Sequence, residues 1–118
     1  MKKTLTFIVV TLMALTFSSV SYATTMGQKN ALASAKEYLN FTAFSYQGLI
    51  KQLEHEKYSR EDAAYGADNC GTNWNEQAAK KAKEYLRLSL SRDRLIDHLK
   101  FDGFTHEQAV YGVTANGY

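Results

Sequence analysis

The stretch from Ser45 to Gly71 occurs twice. SYQGLIKQLEHEKYSREDAAYGADNCG returns as SRDRLIDHLKFDGFTHEQAVYGVTANG from Ser91 to Gly117, at a constant spacing of 46 residues. Ser45/Ser91, Leu49/Leu95, Ile50/Ile96, Leu53/Leu99, Glu61/Glu107, Ala63/Ala109, Tyr65/Tyr111, Gly66/Gly112 and Gly71/Gly117 are identical pairs. Upstream, Ala31-x-x-x-Ala35-Lys36-Glu37-Tyr38-Leu39 matches Ala78-x-x-x-Ala82-Lys83-Glu84-Tyr85-Leu86 at a spacing of 47, so one residue has been lost in between. Any fold for this chain must therefore be a doubled module.

Ahead of the repeats, Lys2 and Lys3 precede a 13-residue apolar run, Leu5 to Phe17, and small residues at Ser21 and Ala23. This is the order of a secretory signal peptide, with cleavage expected between Ala23 and Thr24. The run is short for a membrane span, which needs about 20 apolar residues; contact with the cytoplasmic membrane is expected only if the segment stays uncleaved. Without residues 1–23, Lys+Arg falls from 14 to 12 against 12 acidic residues, and the net charge is zero. A nucleic-acid binder would show a strong cationic field instead. The division expected is a signal peptide at 1–23, a first helical repeat at 24–72 and a second at 73–118.

The period within each repeat is helical. Asn30 to Thr42 carries Leu32, Ala35, Tyr38 and Leu39 at helical spacing, and Thr25 with Gln28 has the spacing of a capping box. Ser45 fits the N-cap of a second helix with the stripe Leu49, Ile50 and Leu53, and Phe44 with Leu49 forms its hydrophobic staple. Ser59 and Asp62 open a third helix, with Tyr58 and Ala63 as staple and Gly71 as its left-handed terminator. The second repeat follows suit. Asn73 with Glu76 caps its first helix, Ser91 its second and Thr105 with Gln108 its third, while Gly103 and Gly117 end the second and third. Proline is absent from the whole chain and no strand pattern competes. The fold class expected is all-α: two tandem three-helix, helix-turn-helix-like repeats. Each unit has about 45 residues, near the size at which a lone core is marginal. The units should then pack on each other or share the first helix of the second repeat, with Trp74, which has no counterpart in the first repeat, filling the joint.

No constellation of catalytic residues is present. His55, His98 and His106 lack partners at metal-ligand spacing and read as surface residues. Phosphate loops, nucleophile elbows and HExxH are missing. No cofactor and no enzymatic activity are expected. Cys70, the one cysteine, excludes an internal disulfide and reads as an incidental thiol. The second and third helices of each repeat invite comparison with DNA-reading helix-turn-helix units, which need basic phosphate contacts. Here Arg60 is outnumbered by Glu61, Asp62 and Asp68 in the first copy, and the second copy, THEQAVYGVTAN, contains neither lysine nor arginine. Nucleic acid is not an expected partner.

The segment AKEYLNFTAFSYQGLIKQLEHEKYSREDAAYGADNCGTNWNEQAAKKAKEYL, followed by LSRDRLIDHLKFDGFTHEQAVYG, resembles the Ltp-type host-cell surface-exposed lipoprotein family. The marks are A-x-x-YL, S-x-x-x-LI-x-QL, the [FY]-[ST]-x-[ED]-x-A-x-Y run and the W-N-E-Q-A join, present along roughly residues 29–118. The resemblance implies a protein of temperate phages or bacteria held outside the cytoplasmic membrane. It further implies superinfection exclusion: an incoming phage adsorbs, but DNA injection is blocked, with the tape-measure protein or another injection component as the partner. Family lipoproteins carry a lipobox cysteine, whereas this chain has Ser21-Tyr22-Ala23-Thr24. A soluble exported protein is therefore expected, periplasmic in a host with two membranes. The competing class is a host envelope protein that binds other proteins or the cell wall.

A partner-binding surface is expected at Glu54, Glu56, Glu61 and Asp62, gathered around the turn between the second and third helices of repeat one, where they can meet a basic segment. The plainer account is that Glu61 and Asp62 favour a helix N-terminus while the others are solvated. Tyr65 and Tyr111, each followed by glycine, are expected to pack in the core or between helices.

Overall fold

The computed structural model describes residues 23–118; the signal-peptide reading, but for Ala23, lies outside the described residues. The described chain is all-α. It contains α1 (Met26–Phe41), α2 (Tyr46–His55), α3 (Arg60–Asn69), α4 (Trp74–Tyr85), α5 (Arg92–Phe101) and α6 (His106–Ala115), with a single 3-10 turn at Leu86–Leu88. Ala23 and Thr24 are exposed and precede the first helix.

Every helix begins where a side chain can take up its free N–H groups. Thr25 and Gln28 form a reciprocal box, and so do Thr105 and Gln108. The first box starts α1 at Met26, four residues ahead of the apolar pattern that begins at Asn30. Ser45, Ser59, Asn73 and Ser91 cap with their side chains alone. Asp62 and Glu76 do not complete the boxes their spacing allows.

In each repeat one helix supplies bulk and two supply closeness. Leu49, Ile50 and Leu53 of α2 are buried beside Ala35, Ala63 and Ala67; Leu95, Ile96 and Leu99 of α5 are buried beside Ala78, Ala82, Ala109 and Val113. Full burial of each such leucine or isoleucine contributes about 1.5–3 kcal/mol. The small residues let α1 lie against α3, and α4 against α6, with the backbones nearly touching. A Cβ built on Gly66 would stand 2.8 Å from the Ala31 carbonyl oxygen, and one on Gly112 would stand 2.7 Å from that of Ala78. The glycines, not the tyrosines before them, make the inter-helix contact. Tyr65 is only half-buried and Tyr111 is 47% exposed. The expectation that these tyrosines pack in the core or between helices is thus corrected for Tyr111: the close contact is made by the glycine, and the ring beside it is largely exposed.

Helices α2 and α5 end in the same left-handed turn. Tyr58 N–H donates to the Leu53 carbonyl at 3.2 Å, and Phe104 N–H to that of Leu99 at 3.1 Å, the long-range bond of a Schellman cap. The residue between is Lys57 (φ 73°) in repeat one and Gly103 (φ 101°) in repeat two. Glycine is demanded at 103 twice over, because a Cβ there would meet the Ser45 Oγ at 2.7 Å and the Gln47 Cβ at 3.0 Å, across the joint between repeats.

That joint is narrow and polar. Helix packing runs within each repeat, and the two buried clusters are separate. Of the two arrangements expected from unit size, the shared helix is the one found. The first turn of α4 places Trp74 against the first core, edge-on to Tyr46 at 5.6 Å, while its later turns carry Ala78 and Ala82 into the second. Buried Gln77 accepts from the Phe44 N–H at 3.1 Å and donates to Thr72 Oγ1 at 3.1 Å. Buried Ser45 accepts from the Gly48 N–H at 2.9 Å and donates to the Asp102 carbonyl at 2.5 Å. Its copy, Ser91, is exposed and only caps.

Two substitutions test this account. Alanine in place of a helical glycine ordinarily stabilises by about 1 kcal/mol. Gly66→Ala and Gly112→Ala are expected to destabilise instead, by about 1–3 kcal/mol each, because the backbone behind each glycine cannot withdraw; urea unfolding followed by circular dichroism measures it. Lys57→Gly is expected to stabilise by about 1 kcal/mol, since it relieves a side chain held at positive φ with no contact that requires one. A Lys57→Gly midpoint equal to or below that of the parent contradicts the assignment of strain to this turn.

Candidate functional site

The α2–α3 turn of repeat one borders an open groove of about 460 Å³, lined by Ser34, Glu37, Tyr38, Phe41, Glu56 and Tyr58. Helix periodicity brings Ser34, Glu37, Tyr38 and Phe41 to one face of α1, and the turn lays Glu56 and Tyr58 opposite. The Tyr38 hydroxyl donates to Glu56 Oε1 at 2.7 Å, Gln52 Nε2 reaches the same hydroxyl at 3.4 Å, and Ser34 Oγ and the Tyr58 hydroxyl are 2.9 Å apart. Phe44 supports the Tyr38 ring edge-on at 5.9 Å. The hydrogen bond to the Glu56 carboxylate raises the pKa of Tyr38 above the ordinary tyrosine value. Phe41, 89% exposed, stands at the rim. The groove thus joins two carboxylates, two phenols and a bare phenyl ring.

The same framework recurs in repeat two with different occupants. The Tyr85 hydroxyl donates to Asp102 Oδ2, matching the Tyr38–Glu56 bond. Where α1 has Ser34, α4 has Lys81, whose Nζ lies 6.0 Å from the Tyr85 ring centroid and 3.3 Å from Glu84 Oε2. His98 packs on the ring at 5.4 Å. Burial first, and then the Asp102 hydrogen bond, push the Tyr85 pKa well above its usual range. Asp102 is also tied into the joint through its carbonyl.

The four acidic residues expected to bind a partner have different neighbours. Glu56 lines the groove. Glu54 is paired with Arg60 at 3.1 Å, which engages the basic residue of α3. Asp62 lies against Gly27 in the first turn of α1, where a Cβ would meet its Oδ2 at 2.2 Å. Glu61 is exposed in the first turn of α3. Of the four, only Glu56 joins the groove; Glu37, Tyr38 and Phe41 were not anticipated there. Phe41 did carry a signal, since it falls off the apolar stripe of its helix, as does Phe101, 93% exposed on α5. His98 is half-buried against Tyr85 rather than a surface residue. The Cys70 thiol, half-buried, donates to the Ala67 carbonyl at 3.3 Å. Among the described residues no three His, Cys, Asp or Glu side chains gather as a metal site would require, and no helix is long and apolar enough to cross a membrane.

The host cell surface-exposed lipoprotein family, Lipoprotein_Ltp, matches the chain over residues 26–70 and again over 73–115. The chain belongs to this family. Among solved structures it is similar to Ltp, a superinfection exclusion protein from the Streptococcus thermophilus temperate phage TP-J34. Identity is 37%, over 78% of this chain and 97% of that one, with a TM-score of 0.73. Curated protein sequences yield no match. Membership of a surface-exposed family makes this an exported Ltp-type protein built from two family repeats.

The tyrosine–carboxylate pairs predict an alkaline response. A tyrosine whose folded pKa is raised above its ordinary value of about 10 lends stability that is whole below pH 10 and is lost as pH climbs toward the folded pKa. Ultraviolet titration should show Tyr85 ionising above the ordinary tyrosine range, and stability should decline above pH 10. In Tyr85→Phe that decline should be shallower. An unchanged slope in this variant removes Tyr85 as its source.

Proposed function

We propose that this Ltp-type protein excludes superinfecting phage by binding, outside the cytoplasmic membrane, a component of the injection apparatus: the tape-measure protein, or another protein that travels ahead of the DNA. The observation that carries the reading is the 37% identity to a superinfection exclusion protein along nearly all of that protein and both repeats of this one. Physical features agree with a binding module. The fold exposes a groove built from aromatic rings and carboxylates between α1 and the α2–α3 turn, and a protein partner with cationic segments is complementary to it. With Ser21–Thr24 in place of a lipobox, the protein acts free in the periplasm or cell envelope and meets the injection machinery by diffusion.

The test is expression in a phage-sensitive host, with adsorption, phage DNA delivery and plating measured separately. Adsorption is expected to be unchanged, while DNA delivery and plating fall by orders of magnitude. Normal plating on cells that export the protein overturns exclusion and leaves a host-envelope role in its place.

A further inference from the structure

The two repeats differ in one way that bears on what the groove holds. In repeat two, a lysine from the chain itself occupies the framework: the Lys81 ammonium lies near the Tyr85 ring and is paired with Glu84. Repeat one keeps the ring as Tyr38 and the carboxylate as Glu37, at the same helical spacing, but replaces the lysine by Ser34. Serine is too short to reach either group, and its hydroxyl is engaged with Tyr58 at 2.9 Å. Glu37 makes no ion pair among the described residues. A second carboxylate, Glu56, borders the same groove.

We propose that the repeat-one groove receives a lysine side chain from a partner protein, seated over the Tyr38 ring between Glu37 and Glu56 as Lys81 is seated by Tyr85 in repeat two. A cation over a tyrosine face is attracted by the ring quadrupole, and a flanking carboxylate adds a charge-assisted hydrogen bond. The exposed Phe41 ring at the rim covers the aliphatic stem, which a lysine leaves along apolar surface while its ammonium meets polar groups. The second repeat is thus closed by its own lysine and the first is left open. The proposal rests on the reading of the chain as a protein-binding module and names the chemistry that module accepts.

The probe is an eight-residue peptide alternating lysine and alanine, with its Nε-acetylated form as control, titrated calorimetrically onto the full chain. Saturable binding of the lysine peptide, a shift of the Tyr38 ring resonances and no binding of the acetylated form are expected. Ser34→Lys supplies the missing lysine from within and should weaken binding by about tenfold, with the helical circular dichroism retained. Glu56→Gln should also weaken it, and carries the test if Ser34→Lys does not fold. Equal binding of the acetylated peptide, or undiminished binding by a folded Ser34→Lys chain, overturns the proposal. The phage assay run beside it separates the two readings. Exclusion by a chain that binds no lysine peptide rejects the groove and keeps exclusion. Peptide binding by a chain that leaves plating unchanged keeps the groove and rejects exclusion.

Discussion

The architecture depends on two places where one helix backbone lies on another: Gly66 on Ala31 and Gly112 on Ala78. Close approach brings α1 and α3, and likewise α4 and α6, near enough that alanines suffice to fill the space between them. A third helix then closes the unit with Leu49, Ile50 and Leu53, or Leu95, Ile96 and Leu99. A methyl group on either glycine would push the pair apart and open gaps that alanines cannot fill, and packed interiors do not absorb such gaps cheaply. The contact belongs to the glycine of each Tyr-Gly pair and not to its ring, which is half-buried at Tyr65 and exposed at Tyr111.

Identical modules joined in tandem must break their symmetry somewhere, and here the break falls at the same turn in both copies. In repeat two the turn after α5 is spent on the joint: the Asp102 carbonyl accepts from Ser45, and Gly103 lets Ser45 and Gln47 approach. In repeat one the corresponding turn, Glu56 and Lys57, makes no such inter-repeat contact among the described residues. It needs no glycine and carries lysine at positive φ. The groove beside it lies between this turn and α1. The position that fastens repeat two to repeat one is, in the first copy, part of the groove wall.

Much of this was legible in the residues. Capping side chains marked all six helix starts, the apolar stripes gave the three bulky residues of each core, and Trp74 stood out as the joint filler because the repeat alignment left it unmatched. The groove was less legible. Its walls come from α1 and from a turn some 20 residues later, and only Glu56 stands out in the sequence, for its charge. Glu61, Asp62 and Glu54 shared that charge but point to other tasks: a helix start, a contact with Gly27 and a pair with Arg60. Charge along a chain says nothing about which side of a helix it faces. Ser45 was read correctly as a cap, yet its burial by repeat two required the joint to be seen, since its identical copy Ser91 caps in full solvent.

Charge balance constrains how such a protein can capture a transient target. Residues 24–118 carry twelve basic and twelve acidic side chains, so there is no net field to steer a cationic partner over distances beyond the Debye length of about 8 Å. Recognition must therefore reside in local geometry. The ring and two carboxylates of the proposed lysine site would supply short-range attraction even on a neutral molecule. Two consequences follow. The protein has little tendency to hold polyanions or polycations at random in a crowded envelope. On the proposed exclusion reading, capture speed would come from concentration near the injection site rather than from long-range attraction, which would make export in quantity a part of the mechanism and not only its address.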